Sequence, residues 1–148
     1  MNNQTFKRPE SVLVLVYTRA GEVLLLRRRQ PDDFWQSVTG SLEWDETPVQ
    51  AARRELFEET GLAVDTDLID CTTTNRFPIL PGWGARYAPD LTHNLEHVFR
   101  IAFAERPVIR LDPAEHTEYR WLDRASAATL ATSYTNRDAI LAWVPGSE

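Results

Sequence analysis

Residues 40–62 read GSLEWDETPVQAARRELFEETGL, and the punctuation of this stretch specifies one helix. Thr47 is a good N-cap, Pro48 suits the first helical position, and Gln50 stands where a capping box returns its side chain. Gly61 supplies a left-handed stop, so the spacing predicts a helix from about Thr47 to about Thr60. Glu55, Glu58 and Glu59 fall in its C-terminal half and share one flank, beside an apolar stripe of Val49, Ala52 and Leu56. Like charges three and four residues apart repel, and the negative end of the helix dipole adds to the cost, by roughly a few tenths of a kcal/mol per pair. A solvated acidic face would spread that charge into water. A hard divalent cation would neutralise it, since Mg²⁺ takes oxygen ligands and binds one or two carboxylates together with substrate phosphates. Spacing alone leaves both readings open.

Upstream, Val12 to Tyr17 is apolar on both alternating faces and suits a central strand covered on both sides, which predicts a layered α/β domain. Ala20-Gly21 turns the chain into Glu22 to Arg29, where Val23 to Leu26 form the second strand of a hairpin. That strand ends in Arg27, Arg28 and Arg29, of which one is expected to hold a polyphosphate and the others to solvate the edge. Pro31-Asp32-Asp33 then turns the chain into Phe34 to Thr39, which delivers Gly40 to the helix-bearing stretch.

Downstream, Leu62 to Val64 and Leu68 to Thr74 read as short strands, followed by an unusually apolar loop, Phe77, Pro78, Ile79, Leu80, Pro81, Gly82 and Trp83. Such residues suit a ring-binding wall, but composition favours core packing. Leu95, His97, Phe99, Ile101 and Phe103 alternate with Glu96, Val98, Arg100, Ala102 and Ala104, a long strand with one strongly apolar face. His97 is therefore expected near the core, and His93, His97 and His116, which lack metal-ligand spacing, are assigned structural or surface roles. Pro113 to His116 is a loop before a strand from Glu118 to Leu122. Asp123 caps a helix through Leu130, and Thr135 with Asp138 caps another through about Trp143, both expected to cover the sheet.

A length of 148 residues fits one domain, 1–148, and 43% hydrophobic content excludes general disorder. The net charge of −6 argues against a broad nucleic-acid or anionic-membrane surface, so an anionic substrate needs local arginines and metal. Cys71 is the only cysteine, which fits packing in a reducing compartment. The first residues, MNNQTFKRPE, lack the apolar core of a signal peptide, and no apolar run is long enough to span a bilayer. A soluble cytoplasmic protein without an obligate protein partner is expected.

The quoted stretch is similar to the complete Nudix box. Gly40, Glu46, Arg54, Glu55, Leu56, Glu58, Glu59, Gly61 and Leu62 occupy its nine specified positions. The resemblance implies an α/β/α sandwich with a mixed β-sheet between helices, and phosphoanhydride hydrolysis with Mg²⁺, for which Mn²⁺ can substitute. It also implies that a backbone carbonyl near the first glycine approaches the metal. Arg54 is expected to orient the glutamates, through Glu46, rather than touch substrate. The segments KRPESVLVLVY, DDFWQSVTGSLEWDET, RYAP, EHTEYRWLD and TNRDAI resemble one branch of the family, the bacterial dihydroneopterin triphosphate pyrophosphatases associated with folate biosynthesis.

That resemblance implies hydrolysis of 7,8-dihydroneopterin 3′-triphosphate to dihydroneopterin monophosphate and pyrophosphate. The implied metal ligands are Glu55, Glu59 and Glu115, and the carboxylates able to take the proton of the attacking water are Glu55, Glu58 and Glu115. Lys7, Arg28, Thr39 and Ser133 are the implied substrate contacts, and Phe77, Pro78, Ile79 and Leu80 the implied lining of the pterin pocket. Pro78 and the PGWG segment depart from the branch pattern. Two alternatives are a Nudix hydrolase of nucleoside triphosphates, oxidised purines included, and a ligand-sensing Nudix domain without hydrolysis.

Overall fold

The computed structural model describes residues 6–79 and 92–146. Its elements are β1 (Glu10–Thr18), β2 (Glu22–Arg28), β3 (Trp35–Gln36), β4 (Val38–Ser41), α1 (Pro48–Thr60), β5 (Ile69–Pro78), β6 (His93–Phe103), β7 (His116–Asp123), α2 (Arg124–Leu130) and α3 (Tyr134–Trp143). The strands form one seven-stranded sheet. β1 runs parallel to β6 along its whole length, and the other pairings are antiparallel, so the sheet is mixed. A parallel neighbour needs a long crossover, and the chain between β1 and β6 supplies it with α1 inside.

β1 is central and buried on both faces, as its unbroken apolar run predicts. Val12, Val14 and Val16 join Leu24 and Leu26 against Ala51, Ala52 and Leu56 of α1. Leu13, Leu15 and Tyr17 join Val23 and Leu25 against Ala127 and Ala128 of α2 and Ala139 and Ile140 of α3. The result is the three-layer arrangement of helix, sheet and helices. Cys71 lies buried in the second cluster as a free thiol, with Val98 nearby.

The β1–β2 hairpin pairs at Tyr17 and Val23 and then opens like a fork. The stretch from Trp35 to Ser41 fills the fork as two strands: β3 pairs with β2, and β4 pairs with β1. Ser37 is the step between the prongs. Asn136 of α3 holds it there, its Oδ1 accepting from the Ser37 N–H at 2.7 Å and its Nδ2 donating to the Ser37 Oγ at 2.9 Å.

Three further expectations change. Leu62 to Val64 form no strand; Leu62 and Val64 pack instead against the α1-side core. Both edges of β1 are already taken, by β6 on one side and by β2 and β4 on the other. Phe77 and Pro78 are strand rather than loop, opposite Asn94 and His93, because β5 is an edge strand where a proline without an N–H is tolerated. Ser133, not Thr135, is the N-cap of α3, its side chain accepting from the Asn136 N–H, while the Thr135 hydroxyl lies 2.8 Å from that of Ser133. A serine three residues ahead of a polar side chain caps as well as the threonine does, and the geometry at Ser37 draws Asn136 to the third position.

Candidate active site

Local chemistry builds α1 as its punctuation predicts. Thr47 and Gln50 form a reciprocal capping box, and Gly61 ends the helix at φ 77°. β4 then lays Gly40 against the acidic flank. A Cβ at Gly40 would stand 1.8 Å from the Glu55 Oε2, so only a bare backbone lets that carboxylate sit where it does.

Arg54 organises the acids around it. Its Nε and Nη2 donate to the two oxygens of Glu46, each at 2.8 Å, and its Nη2 also donates to the Ser41 carbonyl at 3.0 Å. Its Nη1 reaches Glu55 and Glu58, both at 3.2 Å. This bidentate fork holds the Glu46 carboxyl below the usual carboxylate range and raises the guanidinium further still. Arg54 is not among the residues that line the cavity beyond.

Glu59 sits differently. It is 6% exposed, and its Oε1 has no hydrogen-bond partner. Burial first, and the neighbouring Glu55 second, push its carboxyl well above the usual range, opposed by a hydrogen bond from the Thr39 backbone. Burial likewise raises Glu55, against the pull of Arg54. Glu58 is half exposed on the rim, and Glu115, in the turn before β7, is close enough for its charge to act on Glu59. His116 follows, with its Nε2 3.9 Å from the Glu59 Oε1. Burial lowers its pKa to about 4, so this contact is not an ion pair at neutral pH.

The residues fit a hard divalent cation. The donors are all carboxylate oxygens, and a buried carboxylate with an orphaned oxygen lacks a positive partner. Among the described residues, no three such side chains are already gathered around one point.

The acidic row opens into a cavity of about 800 Å³. Glu55, Glu58, Glu59 and Glu115 line it, and so do Lys7, Arg28, Thr39 and Ser133. Of the three consecutive arginines, Arg28 is the one in the cavity, its Nε donating to the Gln30 carbonyl and its guanidinium 5.7 Å from the centre of the Phe34 ring. Arg27 faces Asp32, Asp33 and Glu118 instead. Arg29 braces the turn that carries Glu115, donating from its backbone to the Glu115 carbonyl and from its Nε to the Pro113 carbonyl. That bracing role was not legible in the arginine run, because it depends on a loop 84 residues away.

Phe77, Pro78 and Ile79 join neither core cluster and lie along the cavity, which corrects the core-packing reading drawn from composition. Leu80, and the PGWG and RYAP segments, lie outside the described residues. Asn94 and Glu96 of β6, Gln36 and His116 also line the cavity and were missed. The alternation along β6 sets Glu96 opposite the strongly apolar face, and Glu96's own face is buried too, with Asn94 at 3% and Glu96 at 5% exposure. His97, as expected, stays half-buried and structural, its Nε2 2.9 Å from the Glu10 Oε2.

With this geometry in view, the comparison with known protein families is decisive: the NUDIX domain model matches residues 7–144. The chain belongs to the Nudix family. It is 45% identical over 145 residues to dihydroneopterin triphosphate diphosphatase of Escherichia coli (strain K12), with 95% of each chain covered. It is 40% identical over 141 residues to the Haemophilus influenzae protein of the same name, covering 91% of this chain and 87% of that one. The solved structure of the E. coli dihydroneopterin triphosphate pyrophosphohydrolase superposes with a TM-score of 0.87 at 44% identity, covering 95% of this chain and 97% of that chain. As a Nudix hydrolase the chain acts on phosphoanhydride bonds with a divalent metal ion. No helix among the described residues is long and apolar enough to cross a membrane.

Proposed function

We propose that this Nudix hydrolase cleaves 7,8-dihydroneopterin 3′-triphosphate to dihydroneopterin monophosphate and pyrophosphate, with Mg²⁺ as its cation, in folate biosynthesis in the cytoplasm. The observation that carries the reading is a cavity that combines two chemistries: carboxylates and cationic side chains, and an apolar lining of Phe77, Pro78 and Ile79. A polyphosphate on a flat heterocycle needs both. The near full-length similarity to two diphosphatases of that name supports it.

Glu55, Glu59 and Glu115 would hold Mg²⁺, which when bound supplies charge neutralisation at the phosphate oxygens. Mn²⁺, with the same charge and oxygen preference, is expected to substitute. Lys7 and Arg28 bind the triphosphate through charge-assisted hydrogen bonds, and Thr39 and Ser133 add neutral ones. Arg54, clamped by Glu46, keeps Glu55 and Glu58 in place. The proton of the attacking water passes to one of Glu55, Glu58 or Glu115, which single Glu→Gln variants distinguish by their effect on kcat. His116 lies beside this group as a neutral imidazole.

The test is kcat/KM for dihydroneopterin triphosphate against a panel of nucleoside triphosphates, oxidised purines included, with pyrophosphate detected as product. The expected result is a clear preference for the pterin. A nucleoside triphosphate favoured by about tenfold or more would overturn the substrate assignment while leaving the Nudix chemistry intact.

A further inference from the structure

The cavity lining also carries acceptors that the proposed mechanism does not use. Strand register places Ser41, Ser11, Glu96 and Asn75 in one row across β4, β1, β6 and β5. The Glu96 Oε1 accepts from the Asn75 Nδ2 at 3.2 Å, and the Thr135 hydroxyl is the other group that favours its charged form. Both groups are neutral, and no cation among the described residues pairs with this carboxyl. A carboxylate has about four lone-pair positions, so two neutral groups leave acceptor capacity toward the cavity. Burial pushes the Glu96 carboxyl above the usual range, against the pull of Asn75 and Thr135.

Asn94 adds a second unsatisfied acceptor. It stands two residues before Glu96 on the same face, and its Nδ2 donates to the Ser11 Oγ at 2.8 Å. That leaves its Oδ1 buried with no partner. Across the strand pair, Asn94 faces Phe77, the first residue of the apolar wall. Acceptors beside an apolar wall suit a flat heterocycle that presents adjacent N–H groups at its edge. Ser41, next to Gly40, is two strand spacings from Glu96, roughly 10 Å, about the span from the edge of such a ring to its first phosphate.

We propose that Glu96 is a specificity-determining residue. Its carboxylate accepts the ring N–H and the exocyclic amino group of a 2-amino-4-oxo-pyrimidine edge, and the Asn94 Oδ1 accepts a further N–H. This deepens the proposed function and rests on it for the identity of the substrate. The edge is shared by pterins and guanine and absent from adenine, so Glu96 would separate the first two from the third by two donor–acceptor pairs.

Steady-state kinetics with dihydroneopterin triphosphate, GTP, ITP and ATP, on wild type and Glu96→Gln, test it. Gln keeps the volume but turns an amide NH₂ toward the donors of the ring. KM for dihydroneopterin triphosphate and GTP should rise on the order of 10- to 100-fold, the range for loss of a bidentate pair. ATP hydrolysis should stay within about threefold, which also shows that the variant is folded and can hydrolyse phosphoanhydrides. Unchanged KM for both 2-amino-4-oxo substrates overturns the assignment, and so does an equal loss with all four, which would make Glu96 a support for the fold. Independently of any variant, the wild type should favour GTP over ITP, which lacks the 2-amino group; equal kcat/KM for the two overturns it as well. If the wild type prefers GTP to dihydroneopterin triphosphate, the substrate reading fails, while the GTP-to-ITP ratio and the Glu96→Gln contrast still decide the role of Glu96.

Discussion

Replacing Gly40 with alanine isolates the position of one carboxylate from the stability of the fold. The backbone at Gly40 is outside the left-handed region, so alanine meets no conformational strain there. The added Cβ would lie 1.8 Å from the Glu55 Oε2, whereas real Cβ contacts essentially never fall below 3.0 Å. The carboxylate must therefore move by at least 1.2 Å, the difference between those distances. Displacement of about 1 Å in a reacting assembly can lower the rate on the order of 100-fold, and that is the expected fall in kcat. The fold should hardly respond, because the obstructed atoms are the end of a flexible side chain. Forcing Glu55 off its rotamer costs about 0.5–1.5 kcal/mol. The smaller entropy of the unfolded alanine chain returns about 0.4–1 kcal/mol. At roughly 2–4 °C per kcal/mol, Tm should then move by only a few degrees. The assay is pyrophosphate release at saturating Mg²⁺ beside a thermal melt. Adding Glu55→Gln to Gly40→Ala should lower kcat little further, since both act through one carboxylate. A Gly40→Ala enzyme with kcat within about threefold of wild type would refute the reasoning, since Glu55 would then not be needed where it stands.

Glu59→Gln should lose most turnover yet raise the Tm of the metal-free protein, because it removes a buried charge with an orphaned oxygen. Burial raises the folded-state pKa of Glu59 above its ordinary 4.5, so the penalty is full above that raised pKa and fades as pH falls through it. The Tm advantage of the variant should therefore be present at pH 8 and shrink on acidification; an advantage that grows toward low pH would contradict the assignment. Mg²⁺ should raise the Tm of wild type and have little effect on Glu59→Gln, which calorimetry reads directly. Arg28→Ala should raise KM for triphosphates by about tenfold or more with a smaller change in kcat, as expected for loss of a charged hydrogen bond, and an unchanged KM removes it from the phosphate site. Ser133→Ala should both raise KM and lower Tm by about 1–4 °C, the effect of a weak helix cap, since its hydroxyl accepts from Asn136 at a long 3.5 Å. A lower Tm with unchanged KM would leave Ser133 as a cap alone.

Much of the site was legible because its signals are local. The Thr47–Gln50 box, Pro48 and Gly61 lie within a few residues of the groups they satisfy, so the helix and its acidic flank follow from adjacent chemistry. The clamp of Arg54 on Glu46 spans 8 residues and was likewise within reach. The two-faced apolar run of β1 needed only strand alternation. The face of β6 that carries Asn94 and Glu96 was not singled out, since alternation says which residues share a face and not what covers it. The apolar Phe77–Ile79 segment misled, as composition does not distinguish a cavity wall from a core.

The amino-acid sequence by itself determined the capped α1, the crowding of Glu55, Glu58 and Glu59, and the sandwiching of β1, because each depends on contacts between near neighbours or on a simple period. Only tertiary structure decided that the stretch from Trp35 to Ser41 splits between two prongs, that Arg29 braces the turn of Glu115, and that Glu96 and Asn94 line the cavity with Phe77. Those outcomes depend on which strand edges remain unpaired and on registers set between residues far apart in the chain, which no local pattern encodes.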